Sequence, residues 1–237
     1  MASFSSGLKA RILVLDDHPL VREGLSLIIN REDDLMACGQ ADTVEGLHAA
    51  VTTSKPDLVT IDLGMQNGDG LELIRTLKSN HPLLPTMVIS QYDEMIYAER
   101  ALKAGARGYV MKEQATEKVL KAIRAVLAGE LYFSPKIAAL ALRRFGQNES
   151  NTKHANGGLG TLSNRELQVL QLLGAGLGTR LIAAKLGLSV KTIEAHREHI
   201  KHKLGLSSAP QLVNYAATWL KGQSYHHSPD EAASVAP

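Results

Sequence analysis

At residues 59–65 the chain reads Val-Thr-Ile-Asp-Leu-Gly-Met, a short apolar run that ends on the carboxylate of Asp62 before glycines interrupt the pattern. Apolar runs of this length, bounded by glycine, are typical of buried parallel strands. In open α/β sheets, ligands bind just outside the carboxyl ends of the strands. A single aspartate there is often only a cap or turn residue, so the meaning of Asp62 depends on the ends of the neighbouring strands.

Strands and helices alternate on both sides of this stretch. The patterns predict strands at 11–15, 35–41, 59–62, 86–90 and 108–112, with helices at 20–30, 44–53, 71–77, 95–104 and 116–128. Such alternation indicates a parallel sheet that is covered by helices on both faces. Residues 8–130 are therefore predicted to form a flavodoxin-like (βα)5 domain with a five-stranded parallel sheet.

Polar side chains end four of these strands, at one edge of the predicted sheet: Asp16 and Asp17, Asp62, Ser90 and Lys112. Each could be an ordinary polar strand end, but five at the same edge are hard to obtain by accident. Clustered carboxylates repel one another and need a cation, and an all-oxygen set favours Mg²⁺. Such a site suits phosphoryl transfer, which depends mainly on positioning and charge neutralisation.

This set of residues resembles the receiver domain of bacterial response regulators. The resemblance implies that Asp62 is the phosphoacceptor and that the phosphodonor is a sensor histidine kinase. It also implies that Asp16, Asp17, Asp62 and the backbone carbonyl of Gly64 hold Mg²⁺. The implied partners of the phosphoryl group are Lys112 and Ser90, with Tyr109 as an aromatic switch that turns inward when the Ser90 hydroxyl is engaged.

The acceptor loop departs from the family pattern. Gln66 follows Met65 where the family usually has proline, and position 64 is a glycine. The metal ligand at Gly64 is unaffected, because it is a backbone carbonyl. We expect Gly64 to leave the phosphoryl group open to water and Tyr92, near the strand that carries Ser90, to shield it.

Beyond residue 130 the composition changes. Residues 131–160 are predicted to be a linker, in which Ser134 and Pro135 begin a helix that reaches about residue 144. The polar, glycine-containing stretch 146–160 is predicted to be flexible, and the tail 223–237 to be disordered.

Residues 161–222 are predicted to form a small all-α domain of four helices. Ser163 and Glu166 have the spacing of a capping box ahead of an apolar stripe. The short helix 180–186, the turn at Gly187 and the longer helix 190–204 have the helix-turn-helix pattern. A small helical dimerisation or adaptor module is the alternative interpretation.

The longer helix favours DNA binding over that alternative. Its inward stripe is predicted to contain Ile193, Ile200 and Leu204, and its opposite face can read base edges through Lys191, Glu194, Ala195 and Glu198, with His202 beyond. Residues predicted to contact phosphates are Thr192, Arg197, Lys201 and Lys203. Residues 159–221 are similar to the LuxR-type DNA-binding domain, with Leu181 where the family usually has glutamate.

Charge and composition agree with two domains that have different partners. Residues 8–130 contain 14 Lys and Arg against 18 Asp and Glu, whereas residues 159–222 contain 8 against 3. A basic second half suggests nucleic acid as its partner. The single cysteine, Cys38, makes no internal disulfide, and neither a membrane span nor a signal peptide is expected, so a cytoplasmic protein without membrane contact is predicted.

Together the two resemblances imply a response regulator of the NarL/FixJ type that is not an enzyme, apart from slow hydrolysis of its own phosphoaspartate. Phosphorylation is expected to favour a homodimer on double-stranded promoter DNA, and RNA polymerase is a further possible partner. The two alternatives are an aspartyl-phosphate phosphatase, which would need a second acid at position 64, and a constitutive DNA-binding protein whose receiver is only an interaction module.

Overall fold

The computed structural model describes residues 8–65, 69–139 and 158–224. The chain divides between Glu149 and Ser150 into two compact units, each of which is treated by itself.

The first unit contains a parallel sheet of five strands in the order β2-β1-β3-β4-β5. The strands are β1 (Ala10–Leu15), β2 (Leu35–Ala41), β3 (Leu58–Ile61), β4 (Thr86–Ser90) and β5 (Gly108–Met111). The helices between and after them are α1 (Pro19–Asn30), α2 (Val44–Ser54), α3 (Gly70–Asn80), α4 (Glu94–Ala104) and α5 (Thr116–Leu127). The predicted five-stranded flavodoxin-like domain is confirmed.

Burial explains why the apolar runs form the central strands. All four residues of β3 are buried, and Ile12, Leu13 and Val14 of β1 are completely inaccessible to solvent. A strand with helices on both faces must be apolar on both of its sides. The amphipathic helix α5 covers one face with Val119, Ile123 and Val126.

The chain continues along the sheet after α5. Tyr132 forms a parallel bridge with Gly108 of β5, and a helix, α6, begins at Pro135 and is described over 135–139. The predicted helix start is therefore correct. Its predicted continuation to residue 144 lies outside the described residues, as does the predicted flexible stretch up to residue 157.

The second unit is helical. A 3₁₀ turn at Leu159–Thr161 precedes four helices: α7 (Asn164–Gly174), α8 (Thr179–Leu186), α9 (Val190–Leu204) and α10 (Ala209–Ser224). The capping box of Ser163 and Glu166 is present at the start of α7, as predicted. Two predicted boundaries shift, because residues 158–160 belong to the turn before α7 and residues 223–224 belong to α10. Residues 225–237 lie outside the described part.

Close packing and turn geometry fix the arrangement of these helices. A Cβ at Gly174 would lie 2.5 Å from the backbone oxygen of Ala216, so α7 and α10 approach too closely for any side chain there. Gly187 ends α8 with φ +63°, a left-handed conformation that glycine adopts without strain. Within the described ranges, no helix has both the length and the apolar character that crossing a membrane requires.

Candidate functional site

Strand register brings the predicted site residues to one edge of the sheet. The amide of Asp62 donates to the carbonyl of Leu15 at 3.0 Å, directly before Asp16, and so ties the ends of β3 and β1 together. The amide of Lys112 donates to the carbonyl of Ser90 at 2.9 Å and so ties the ends of β5 and β4 together.

Lys112 joins two of the carboxylates. Its Nζ lies 2.7 Å from Asp16 Oδ2 and 2.7 Å from Asp62 Oδ2, and the side chains of Asp16 and Asp62 are 1% and 0% exposed. Burial raises the pKa of Asp16 above its ordinary value; the Lys112 hydrogen bond opposes this rise, and the nearby Asp62 charge adds to it. Burial alone would lower the pKa of Lys112, but the carboxylates of Asp62 and Asp16 outweigh it and raise that pKa.

Four side chains at this edge offer ligand atoms that all lie within 4.8 Å of one another: Asp16, Asp17, His18 and Asp62. Three of them are carboxylates, a donor set that suits a hard divalent cation. His18, whose Nδ1 lies 2.8 Å from Asp17 Oδ1, is the member that the sequence interpretation missed. Its position directly after two clustered carboxylates was the available signal.

Two glycines lie so close to Asp62 that a side chain at either position would crowd it. A Cβ at Gly64 would lie 3.1 Å from Asp62 Oδ2, which is tighter than an ordinary contact; the expectation that Gly64 leaves the phosphoryl group open to water stays a prediction. A Cβ at Gly70, the first residue of α3, would lie 2.9 Å from the backbone oxygen of Asp62. The requirement at Gly70 was not predicted, because it depends on how closely α3 approaches the loop.

Tyr109 already lies inside the protein. It is 2% exposed, and its hydroxyl donates to the backbone oxygen of Tyr92 at 2.7 Å. Burial raises its pKa well above the ordinary value, so the phenol is a neutral donor. Tyr109 is therefore in the inward position, and its response to engagement of Ser90 stays a prediction.

The neighbouring side chains complete this region. Ser90 is fully buried, and its Oγ accepts a 3.3 Å hydrogen bond from the amide of Tyr92. The Tyr92 ring is stacked on Tyr97, with centroids 5.0 Å apart. Tyr92 is therefore a core residue, and this packing lends no support to the expectation that it shields the phosphoryl group.

In the second unit, α9 presents the predicted face to solvent. Ile193 and Ile200 are buried and Leu204 is half-buried, whereas every residue predicted to read base edges is exposed: Lys191, Glu194, Ala195 and Glu198, followed by His202. A helix with this face can enter the major groove of DNA, where side chains distinguish base pairs.

The residues predicted to contact phosphates all have partners within the protein. Thr192 Oγ1 lies 2.7 Å from Ser189 Oγ at the N-cap of α9. Arg197 donates to Thr179 Oγ1 at 2.5 Å, and Lys201 pairs with Glu198 at 2.9 Å. Lys203 pairs with a buried carboxylate: its Nζ lies 2.7 Å from Oε2 of Glu166.

Comparison with known proteins agrees with both units. The receiver-domain profile of response regulators matches residues 12–124, and the profile of bacterial regulatory proteins of the luxR family matches residues 160–216. The oxygen regulatory protein NreC of Staphylococcus aureus (strain MRSA252) is 38% identical over 209 residues, which cover 87% of this chain and 96% of NreC.

Solved structures of response regulators are similar to this chain. A LuxR-family two-component response regulator from Aurantimonas sp. SI85-9A1 is 29% identical, with a TM-score of 0.53 over 59% of this chain and 100% of that one. RcsB from Salmonella enterica serovar Typhimurium, bound to promoter P1flhDC in the presence of the phosphomimetic BeF₃⁻, is 25% identical, with a TM-score of 0.58 over 89% of this chain and 100% of RcsB.

The fold and the acidic edge define a two-component response regulator, in which a receiver domain is joined to a LuxR-type helix-turn-helix domain. More closely, the chain belongs to the NarL/FixJ family of response regulators and is a regulator of transcription.

Proposed function

We propose that Asp62 accepts a phosphoryl group from a sensor histidine kinase and that phosphorylation favours a homodimer that binds promoter DNA. One observation carries this proposal: the Lys112 ammonium pairs with two carboxylates and lies 2.7 Å from both Asp62 Oδ2 and Asp16 Oδ2. Two buried carboxylates that share one ammonium, with a third beside them, retain excess negative charge that suits a cation.

The residues present fit Mg²⁺, which Asp16, Asp17, Asp62 and the backbone carbonyl of Gly64 would hold. When bound, Mg²⁺ neutralises charge on the transferring phosphoryl group. An oxygen of Asp62 forms the new P–O bond as the P–N bond of the kinase phosphohistidine breaks. Lys112 then exchanges its bond to Asp62 for one to a phosphoryl oxygen, a charge-assisted contact that orders the site.

The switch is proposed to lie between Ser90 and Tyr109. The hydroxyl of Ser90 donates to the new phosphoryl group. Its Oγ accepts from the amide of Tyr92 at 3.3 Å, a long bond that a shift of Ser90 towards the phosphoryl group would lengthen further. Since the hydroxyl of Tyr109 bonds to the carbonyl of the same Tyr92, movement of Ser90 reaches Tyr109 through the loop that leads into α4.

DNA recognition is assigned to α9. Lys191, Glu194, Ala195 and Glu198 are exposed and would meet base edges of promoter DNA. Phosphate contacts would come from Thr192, Arg197, Lys201 and Lys203. Two α9 helices of a dimer would occupy half-sites about one helical turn apart. RNA polymerase is a further proposed partner, and the cytoplasm is the proposed location.

Intact-mass spectrometry after incubation with acetyl phosphate tests the proposal. Wild-type protein is expected to gain one phosphoryl group only with Mg²⁺, and Asp62→Asn is expected to gain none under either condition. An unmodified protein with unconsumed acetyl phosphate would favour the constitutive DNA-binding protein. Consumption of acetyl phosphate without a lasting adduct calls for millisecond quenching, which separates rapid self-hydrolysis from a phosphatase that turns over other substrates.

A further inference from the structure

The chain segment after α5 is held against the part of the receiver that contains the proposed switch. Gly129 turns the chain with φ +88°, and its carbonyl accepts a bond from Arg107 Nη2 at 2.5 Å. Tyr132 then pairs with β5: its amide donates to the carbonyl of Arg107 at 2.8 Å, and its carbonyl accepts from the amide of Tyr109 at 2.9 Å. The linker thus begins with an isolated bridge to the edge strand β5.

Tyr109 is consequently attached on two sides. Its phenol reaches the carbonyl of Tyr92, in the loop between β4 and α4, while its own amide holds Tyr132. Movement of the Ser90–Tyr92 backbone and movement of the linker are therefore connected through a single buried residue.

A second attachment joins the linker to α4. Glu94, the first residue of α4, accepts a hydrogen bond on Oε1 from the amide of Ser134 at 2.7 Å. Ser134 is the residue before α6; its Oγ accepts from the amide of Ile137, and Ile137 is 2% exposed. A hydrogen bond from an amide to a carboxylate is charge-assisted and stronger than a neutral one.

We propose that this docked segment, Tyr132 on β5 and Ser134 on Glu94, detects the state of the phosphoacceptor site and transmits it to the linker helix α6. The inference rests on the proposed function. Glu94 is a positioning residue, since it lies two residues after Tyr92 and begins the helix that the loop after β4 enters. When the phosphoryl group draws Ser90 away from Tyr92, α4 shifts at its first turn, the Glu94–Ser134 bond weakens, and α6 is released.

Amide hydrogen exchange at single-residue resolution tests this in the full-length protein, with and without beryllium trifluoride and Mg²⁺. Exchange of the Tyr132 and Ser134 amides is expected to become at least threefold faster when beryllium trifluoride is added. The amide of Gly64, which donates to Asp62 Oδ1 at 3.0 Å, reports independently on whether the phosphoryl mimic has bound.

Matched variants identify the bond that carries the effect. Glu94→Ala is expected to show fast exchange at Ser134 in both states and no further response. Glu94→Gln keeps an acceptor and is expected to retain most of the response. Glu45→Ala, which removes an exposed glutamate from the first turn of α2, is the control for a change in helix-end charge and is expected to behave as wild type.

The two proposals fail in different ways. If Gly64 responds to beryllium trifluoride while Tyr132 and Ser134 do not, the transmission proposal is wrong and the phosphoacceptor proposal stands. If none of the three amides responds, both are wrong. A full response at Ser134 in Glu94→Ala would also overturn the role of Glu94.

Discussion

Each unit contains a buried carboxylate paired with a lysine at the same distance, yet the two clusters differ in kind. In the receiver, Lys112 Nζ lies 2.7 Å from Asp16 Oδ2 and from Asp62 Oδ2. In the helix-turn-helix unit, Lys203 Nζ lies 2.7 Å from Oε2 of Glu166, whose side chain is 4% exposed. Neither the distance nor the burial of the carboxylate separates them.

The balance of charge distinguishes the two clusters. At the receiver edge two carboxylates share one ammonium, and burial together with Asp62 raises the pKa of Asp16. Burial also opposes ionisation of Glu166, but the Lys203 bond and the amide and hydroxyl of Ser163 outweigh it and lower that pKa. The negative charge of the receiver cluster is only partly compensated, so this cluster suits an added cation. The charge of Glu166 is fully compensated by its partners within the fold, so that cluster stabilises the fold.

Removal of the lysine from the receiver cluster is expected to have the largest effect. Lys112→Met leaves Asp16 and Asp62 buried side by side without an ammonium, and breaking such a buried pair costs about 3 kcal/mol. The receiver unfolding transition in urea should shift accordingly at pH 7 without divalent cations, and millimolar Mg²⁺ should restore most of the loss.

The control is Lys118→Met, which removes an exposed lysine from α5 and is expected to change the free energy of unfolding by less than about 0.5 kcal/mol. An equal loss for Lys112→Met with and without Mg²⁺ would contradict the view that a cation can replace the ammonium.

The second largest effect is expected at Glu166. Glu166→Gln removes the charge from a capping box and leaves Lys203 without its partner, at an expected cost of about 2 kcal/mol to the second unit. Because the pKa of Glu166 is lowered from 4.5 in the folded state, its contribution is complete above pH 4.5 and is lost as the pH falls through the lowered value. The difference between variant and wild type should therefore shrink on acidification.

Thermal unfolding between pH 3 and 7 measures that difference. Glu198→Gln is the matched control, because Glu198 is 69% exposed and its pair with Lys201 is a surface ion pair. An equal destabilisation by Glu198→Gln would mean that the capping box and the burial of Glu166 add nothing to the stability of the second unit.

The fold was largely predictable because the apolar periodicity and the caps are local signals. The strand 86–90 and the helix 190–204 were predicted with the bounds that the structure shows. Departures of up to four residues occur elsewhere: the helix predicted at 71–77 extends over Gly70–Asn80, and the last helix, predicted to reach Leu220, continues to Ser224. Helix ends depend on terminal packing and fraying, which a sequence pattern does not encode.

The positions of the site residues were predictable from strand ends, but their partners were not. Lys203, which is predicted to contact phosphate, is paired in this structure with Glu166, 37 residues earlier, a partner that no local pattern indicates. Tyr92 was expected to shield the phosphoryl group; its ring is stacked on Tyr97, and the shielding stays a prediction. Both contacts depend on tertiary packing, whereas the convergence of Asp16, Asp62 and Lys112 follows from parallel strand direction alone.

The smallest effect, with the opposite sign, is expected at Asp16. Asp16→Asn keeps the Oδ1 acceptor for the amide of His18, at 2.9 Å. Its Nδ2 replaces the Oδ2 that faced Lys112, so the ammonium turns away from it and pairs with Asp62 alone. Since the folded pKa of Asp16 is raised from 3.8, ionisation costs stability above that raised value, and the cost disappears as the pH falls to 3.8. The variant should be more stable than wild type by about 1 kcal/mol at pH 7 without divalent cations, and by less at pH 4.

Mg²⁺ should reverse the order of stability in urea unfolding, because only wild type keeps the full set of carboxylates to bind it. A variant less stable than wild type at pH 7 without Mg²⁺ would show that the receiver cluster is satisfied within the fold, as the Glu166 cluster is.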